Sequence, residues 1–252
     1  MKKSRVVISI IFLLCFAVLI PLLINTLSLV DIDNVNVKNA YKLINENPLI
    51  NENSDVFYQD SVDISSISEN DMLAAAFNIT SKTDDELTTN DDKCILEDEA
   101  FEANEGKCII KIINKDELNK AYQSIFNKSI KSHHNFSVNN NVKCVYFEEK
   151  GTYTCGEVYF KTITLGWAPT TLKTIIKATE KNNTLKIYDK YLVINDNKCY
   201  PEYSFKNEIT KCSNTYDKDN LSTLLKKYGK THIHTFKKNT QGIYYWVSSK
   251  EK

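Results

Sequence analysis

The sequence predicts an α+β chain: one N-terminal transmembrane helix, then an extracytoplasmic domain of antiparallel hairpins with helices packed on one face. Three observations carry this expectation. Val6 to Ile24 is apolar apart from Ser9 and Pro21. Runs rich in Val, Ile, Thr, Tyr and Phe come in pairs about short polar turns, as hairpin arms do. Runs with a 3.6-residue apolar period fall before and between those pairs, which suits helices laid against an antiparallel sheet.

Taken in order, residues 1–30 form a cytoplasmic tip and anchor. The length of Val6–Ile24 matches the roughly 20 residues a helix needs to cross a hydrocarbon core of about 30 Å. Lys2, Lys3 and Arg5 keep the tip in the cytoplasm and send the C-terminal bulk outside. A cleaved signal peptide has a shorter apolar region ending in small residues, whereas this run continues through Leu22, Leu23 and Ile24. Bulky Leu14 precedes Cys15, so Cys15 reads as a membrane-buried thiol rather than a lipidation site. Residues 31–66 read as a polar tether, with LINEN at Leu43–Asn47 and again at Leu49–Asn53.

The domain is expected over residues 67–252. Ser68 N-caps a short Ala-rich helix. Residues 81–106 are strongly acidic, but their spacing fits no EF-hand loop, so a solvated acidic loop is expected. Lys107–Ile113 reads as a strand. Asn114 then caps a helix in which Leu118, Ala121, Tyr122, Ile125 and Phe126 share one face. Val142–Phe160 is a hairpin about the polar loop Glu148–Gly151, and it reads as the element around which the rest is organised. Leu165–Pro169 turns the chain into a second hairpin about Lys181-Asn182-Asn183, where asparagine suits a left-handed turn. An irregular aromatic segment follows, then a helix over Leu221–Tyr228 with Gly229 as a C-terminal stop. Residues 231–238 and 242–249 make a third hairpin. Such a curved sheet leaves a concavity against its helices.

Beyond Cys15, six cysteines bracket three local loops: Cys94 and Cys108, Cys144 and Cys155, Cys199 and Cys212. Three local disulfides are expected on an extracytoplasmic face, although six thiols allow fifteen pairings. Zinc is the lesser reading, since no C-x-x-C pair exists. Beyond the anchor, 29 basic groups meet 32 acidic ones, which is no nucleic-acid footprint. With six glycines and no Gly-rich phosphate loop, H-E-x-x-H or G-x-S-x-G, no cofactor and no catalytic residue is assigned.

Three groupings invite function. Thr152-Tyr153-Thr154-Cys155 resembles the strand-borne TLxTC motif of sortases, which would imply a transpeptidase with a cysteine nucleophile. Tyr153 departs from that pattern, and Arg5 is the chain's one arginine, so the oxyanion group that the resemblance implies has no counterpart. His232 and His234 lie on one strand face and, with His133 or His134, make a candidate metal site. The opposite reading is ordinary surface or partly buried packing on a half-exposed strand. Tyr244 and Trp246 make a candidate recognition surface. The opposite reading, which the sequence favours, is core and sheet cover, with Ile243, Tyr245 and Val247 facing the core while Tyr244 and Trp246 cover the other side.

The YTCG hairpin, LKIYDKYLVI and HTFKKNTQGIYYWVSS resemble a group of uncharacterised single-anchor extracytoplasmic proteins of AT-rich Gram-positive bacteria. The resemblance covers residues 65–250 and implies location and domain extent; no site residue carries over. The expected function is therefore binding of an unknown ligand or envelope protein, or envelope organisation, at the membrane. The alternatives are a thiol- or zinc-dependent extracytoplasmic enzyme (sortase-like transpeptidase or hydrolase) and a structural or adhesive surface protein.

Overall fold

The computed structural model describes residues 28–45, 50–51, 54–88, 93–96, 99–102, 107–139, 142–157, 169–211 and 218–252. The apolar run 6–24, Cys15, Cys212 and most of the turn at 165–169 lie outside these. No helix among the described residues is long and apolar enough to cross a membrane.

The chain is mixed α+β. In order it runs through β1 (Ser28–Val30), α1 (Val35–Asn45), β2 (Ile50–Asn51), β3 (Ser54–Asp55), a 3-10 turn (Val56–Tyr58), β4 (Ser61–Asp63) and α2 (Glu69–Ile79). It continues with β5 (Thr83–Thr88), β6 (Lys93–Leu96), β7 (Glu99–Glu102), β8 (Lys107–Asn114), α3 (Lys115–Phe126), β9 (Phe136–Ser137), β10 (Val142–Phe147) and β11 (Thr152–Glu157). The last third comprises β12 (Thr170–Lys181), β13 (Thr184–Asn195), β14 (Lys198–Tyr200), β15 (Thr210–Lys211), α4 (Lys218–Tyr228), β16 (Lys230–Lys238) and β17 (Tyr244–Glu251). The larger sheet has the order β1-β12-β13-β16-β17-β4, with β14 and β15 continuing from β13. A second sheet has the order β5-β8-β11-β10-β9. Every pairing in both is antiparallel.

Local chemistry explains the turns and caps. Asn182 and Asn183 take φ of 47° and 60°, the left-handed pair that a tight hairpin needs, and Asp196-Asn197 repeat this at 47° and 61°. The Ser68 hydroxyl accepts from the Asp71 amide and the Asn114 carboxamide from that of Asp116. Asn127, at φ 52°, ends α3. Leu118, Ile125 and Phe126 of α3 are buried, each stabilising the fold by roughly 1.5–3 kcal/mol relative to exposure. Gly229 ends α4 for a different reason from the left-handed stop expected. A Cβ there would lie 2.5 Å from the Leu225 carbonyl oxygen, so the site demands glycine by close approach.

The structure revises several expectations. The hairpin carrying Cys144 and Cys155 forms, with the two cysteines directly paired, but it belongs to the smaller sheet. The long β12–β13 hairpin is the centre of the larger one. The tether is no tether beyond Val35. Val37, Ala40, Tyr41 and Ile44 of α1 and Val56, Phe57 and Tyr58 of the 3-10 turn are core residues, and β4 pairs with β17. Polar residues between them hid this short apolar stripe. The acidic stretch contains strand β5, where Asp84 pairs with Lys111 across to β8. Helices cover both faces of the larger sheet rather than one. Leu185, Ile187, Tyr191 and Val193 of β13 join the main core, whereas Leu192, pointing the other way, packs with Leu225 of α4.

Candidate functional site

Period-two alternation decides which side chains of β13 and β16 enter the core. On β13 the inward positions are Leu185, Ile187, Asp189, Tyr191 and Val193; on β16 they are His232, His234 and Phe236. Asp189 and both histidines are thus carried inside, at 0%, 1% and 0% exposure. His232 and His234 were expected at the surface or partly buried; they are fully buried, because α1 and the 3-10 turn cover that face.

Around Asp189 the polar groups are fully matched. The Tyr41 and Tyr58 hydroxyls each donate to Asp189 Oδ2 at 2.5 Å. His234 Nε2 lies 3.2 Å from Asp189 Oδ1, and His234 Nδ1 lies 2.6 Å from Ser249 Oγ. Trp246 Nε1–H donates to the same Ser249 oxygen at 2.9 Å. Burial alone would raise the Asp189 pKa, but the His234 ring and the two tyrosine hydroxyls outweigh it and hold the carboxyl below its ordinary range. An ionised carboxylate only accepts, so His234 carries its proton on Nε2 toward Asp189 and, when neutral, accepts from Ser249 through Nδ1. Both tyrosine pKa values are driven up, chiefly by burial and next by the Asp189 charge.

A second buried pair lies alongside. Lys173 of β12 reaches Asp55 at 3.1 Å, with both side chains almost fully buried. The ammonium sits 4.2 Å from the centre of the Tyr58 ring, which is itself stacked on Tyr191 at 4.3 Å. Asp55 also accepts from the Phe57 amide and so caps the 3-10 turn. Burial nevertheless raises the Asp55 pKa, with Lys173 opposing it.

Next to these lies a cavity of about 340 Å³. Its wall includes Tyr58, Tyr191 and His232, with Tyr203 and Ser204 from the segment after β14 and Glu251 from β17. Among the described residues, His232 Nδ1, the Tyr191 hydroxyl and Ser204 Oγ are buried without a hydrogen-bond partner, and all three residues line this one cavity. The other ring nitrogen of His232 bonds the Tyr58 backbone carbonyl, so it carries the proton and Nδ1 presents a lone pair. Burial pushes the His232 pKa down to about 4, with Asp189 opposing that shift. Burial likewise drives the Tyr191 hydroxyl far upward. At neutral pH the wall therefore offers a neutral imidazole acceptor and two neutral hydroxyls.

The other candidates fall elsewhere. His133 stacks on Tyr146 and meets the Tyr153 hydroxyl at 2.8 Å, on the smaller sheet; His134 is exposed beside it. Among the described residues no three His, Cys, Asp or Glu side chains gather closely enough for a metal ion. Cys155 is bonded to Cys144 and Cys94 to Cys108, with Cα separations of 4.0 and 6.2 Å. Cys199 is also disulfide-bonded; Cys212, its expected partner, lies outside the described residues. Tyr244 and Trp246 form no recognition surface. They are 7% and 0% exposed, while Ile243 is 55% exposed. Trp246 sits directly across from inward-facing Phe236, beside an irregularity in the β16–β17 register. The expected alternation had the two faces the wrong way round.

Tyr41, Asp55, Tyr58, Lys173, Asp189 and Tyr191 were missed. The signal for Asp189 was present, as one acidic residue among the inward positions of an apolar strand. No family model, no curated protein and no solved structure matches this chain.

Proposed function

We propose that this protein is a membrane-anchored extracytoplasmic domain that binds a small polar ligand in the cavity beside His232. The observation that carries this reading is that three residues lining one cavity each hold a buried polar atom without a partner among the described residues. Buried polar groups in folded proteins are nearly always paired, and each orphan costs about 1–3 kcal/mol. A ligand that supplies the missing partners removes that penalty. A pocket of a few hundred Å³ with a few fixed polar groups is the usual form of such a site.

Binding is favoured over catalysis by what surrounds the reactive groups. Cys155, the residue a sortase-like reading needs, is held in a disulfide. The anchor rests on Val6–Ile24, and an extracytoplasmic face is supported by the disulfides, which persist in oxidising surroundings. Native mass spectrometry of the full-length protein released from detergent tests the site. A small-molecule adduct lost in His232→Phe supports it; an adduct retained in that variant places the ligand elsewhere. Alkaline phosphatase fused after Lys252 tests orientation, being active only if the domain is exported.

A further inference from the structure

We propose that the ligand of this cavity carries a protonated primary or secondary amine, bound through N–H donation to His232 and charge attraction from the acidic wall. This rests on the reading of the cavity as a ligand site. The wall contains Asp55, Asp60, Glu202 and Glu251, with Lys230 as its single lysine. Lys230 is bridged to Glu251 at 2.8 Å, and Lys173, just behind the wall, to Asp55. Lys230 also faces Asp60 and Glu202, so four carboxylates stand against two ammonium groups. Glu202 does accept from the Asn207 carboxamide at 3.3 Å, a contact that leaves its charge in place. The cavity therefore carries an excess of negative charge.

The independent observation is His232. It is 1% exposed, lines the cavity, and holds an sp² lone pair that no described residue meets. That lone pair requires a donor, which excludes a carboxylate or a phosphate dianion at this position. Tyr191 and Ser204 are hydroxyls able to donate or accept, so they accommodate either partner. A quaternary ammonium has charge but no N–H, and the ring of Tyr58 is already engaged by Lys173 on one contact and Tyr191 on another. Together the acceptor and the charge select an ammonium with hydrogens on nitrogen.

The test uses full-length protein in detergent with isotope-labelled histidine, whose four residues give separable ring signals. The probes share a four-carbon chain: 1,4-diaminobutane, 1,4-butanediol, succinate, and the fully N-methylated diammonium. The diamine is expected to shift the His232 ring signals saturably, binding roughly tenfold or more tightly than the diol, as a charge-assisted hydrogen bond would give. The methylated diammonium should fall well below the diamine. Glu202→Gln with Asp60→Asn, both on the cavity wall, should lower diamine affinity and leave the diol unchanged; unmoved His133 signals report an intact fold. Equal binding of diol and diamine, or preference for succinate or the methylated cation, overturns the amine assignment while the cavity remains a ligand site. If none of the four moves the His232 signals, the ligand-site reading falls and this inference falls with it.

Discussion

His232 and His234 stand two residues apart on β16, face the same side of the sheet, and have ring centroids 6.3 Å apart. Their surroundings differ in one respect. Both nitrogens of His234 have partners, within a network that closes on Asp189. His232 has one nitrogen partnered and one bare, at the wall of a cavity. Burial, residue type and strand position are the same for both. What separates a structural polar cluster from a binding site is whether its hydrogen-bonding capacity is filled from within the chain.

The closed network should be the more fragile under mutation. Asp189→Ala would remove at once the shared acceptor of the Tyr41 and Tyr58 hydroxyls and of His234 Nε2. The two hydroxyls, 3.1 Å apart, can then satisfy only one donor between them. Removing one member of a buried charged network typically costs about 3–5 kcal/mol, so a large fall in the urea midpoint is expected. A loss below about 1 kcal/mol would mean that the network contributes little and that the contrast with His232 is empty. Because Tyr41 and Tyr58 come from the N-terminal segment, the variant should also loosen α1 from the sheet, read as faster amide exchange in Val37–Ile44.

Local elements of the fold were legible in the sequence, this contrast was not, and the reasons are specific. Hairpins at Asn182-Asn183 and at Glu148–Gly151, and caps at Ser68 and Asn114, depend on contacts a few residues away, and local chemistry specifies them. The cysteine pairs at 94/108 and 144/155 follow from short loops. By contrast, Tyr41 and Tyr58 meet Asp189 across sequence separations of 148 and 131. No local pattern encodes such a meeting, and a polar-looking segment between Asp31 and Ser66 disguised its source. Tyr244 and Trp246 were assigned to the wrong side because apolar and aromatic residues occupy both faces from Ile243 to Val247, so alternation carried no phase. The pairing of Trp246 with inward Phe236 sets it.

The cavity side of the comparison makes a smaller, pH-dependent prediction. The folded-state pKa of His232 is about 4, below the value near 6.5 of a free histidine. Between those limits the unfolded chain binds the extra proton, so stability is fully present above about pH 6.5 and falls as pH drops toward 4. The loss should approach about 3 kcal/mol at the lower end. His232→Gln, whose side-chain amide can still donate to the Tyr58 carbonyl, removes the titration. Asp189 contributes its own acid dependence, but it does so in both proteins. The difference between wild-type and variant unfolding midpoints, followed from pH 7 to 4, therefore isolates His232. Parallel curves would show that the Nδ1 lone pair is solvated in the native state and would weaken the case for a dry, ligand-ready wall.

Ser249, His234 and Asp189 have the connectivity of a hydrolase triad, with serine on one ring nitrogen and carboxylate on the other. Their setting argues against that use. Ser249 is 1% exposed and does not line the cavity, so a substrate carbonyl has no approach to its oxygen. The hydroxyl is also engaged by the Trp246 indole N–H, which fixes its lone pair toward the core. A nucleophile needs an open face and an oxyanion donor opposite it, and this oxygen instead completes a chain running from Trp246 to Asp189. Ser249→Ala should consequently cost about 2 kcal/mol, the lower end for an indole and an imidazole nitrogen both left unpaired, and leave ligand-induced shifts at His232 intact. A fluorophosphonate should leave the native protein unlabelled. Labelling at Ser249 that disappears in Ser249→Ala would reverse the assignment, making the closed network a reactive centre and the His232 cavity the approach to it.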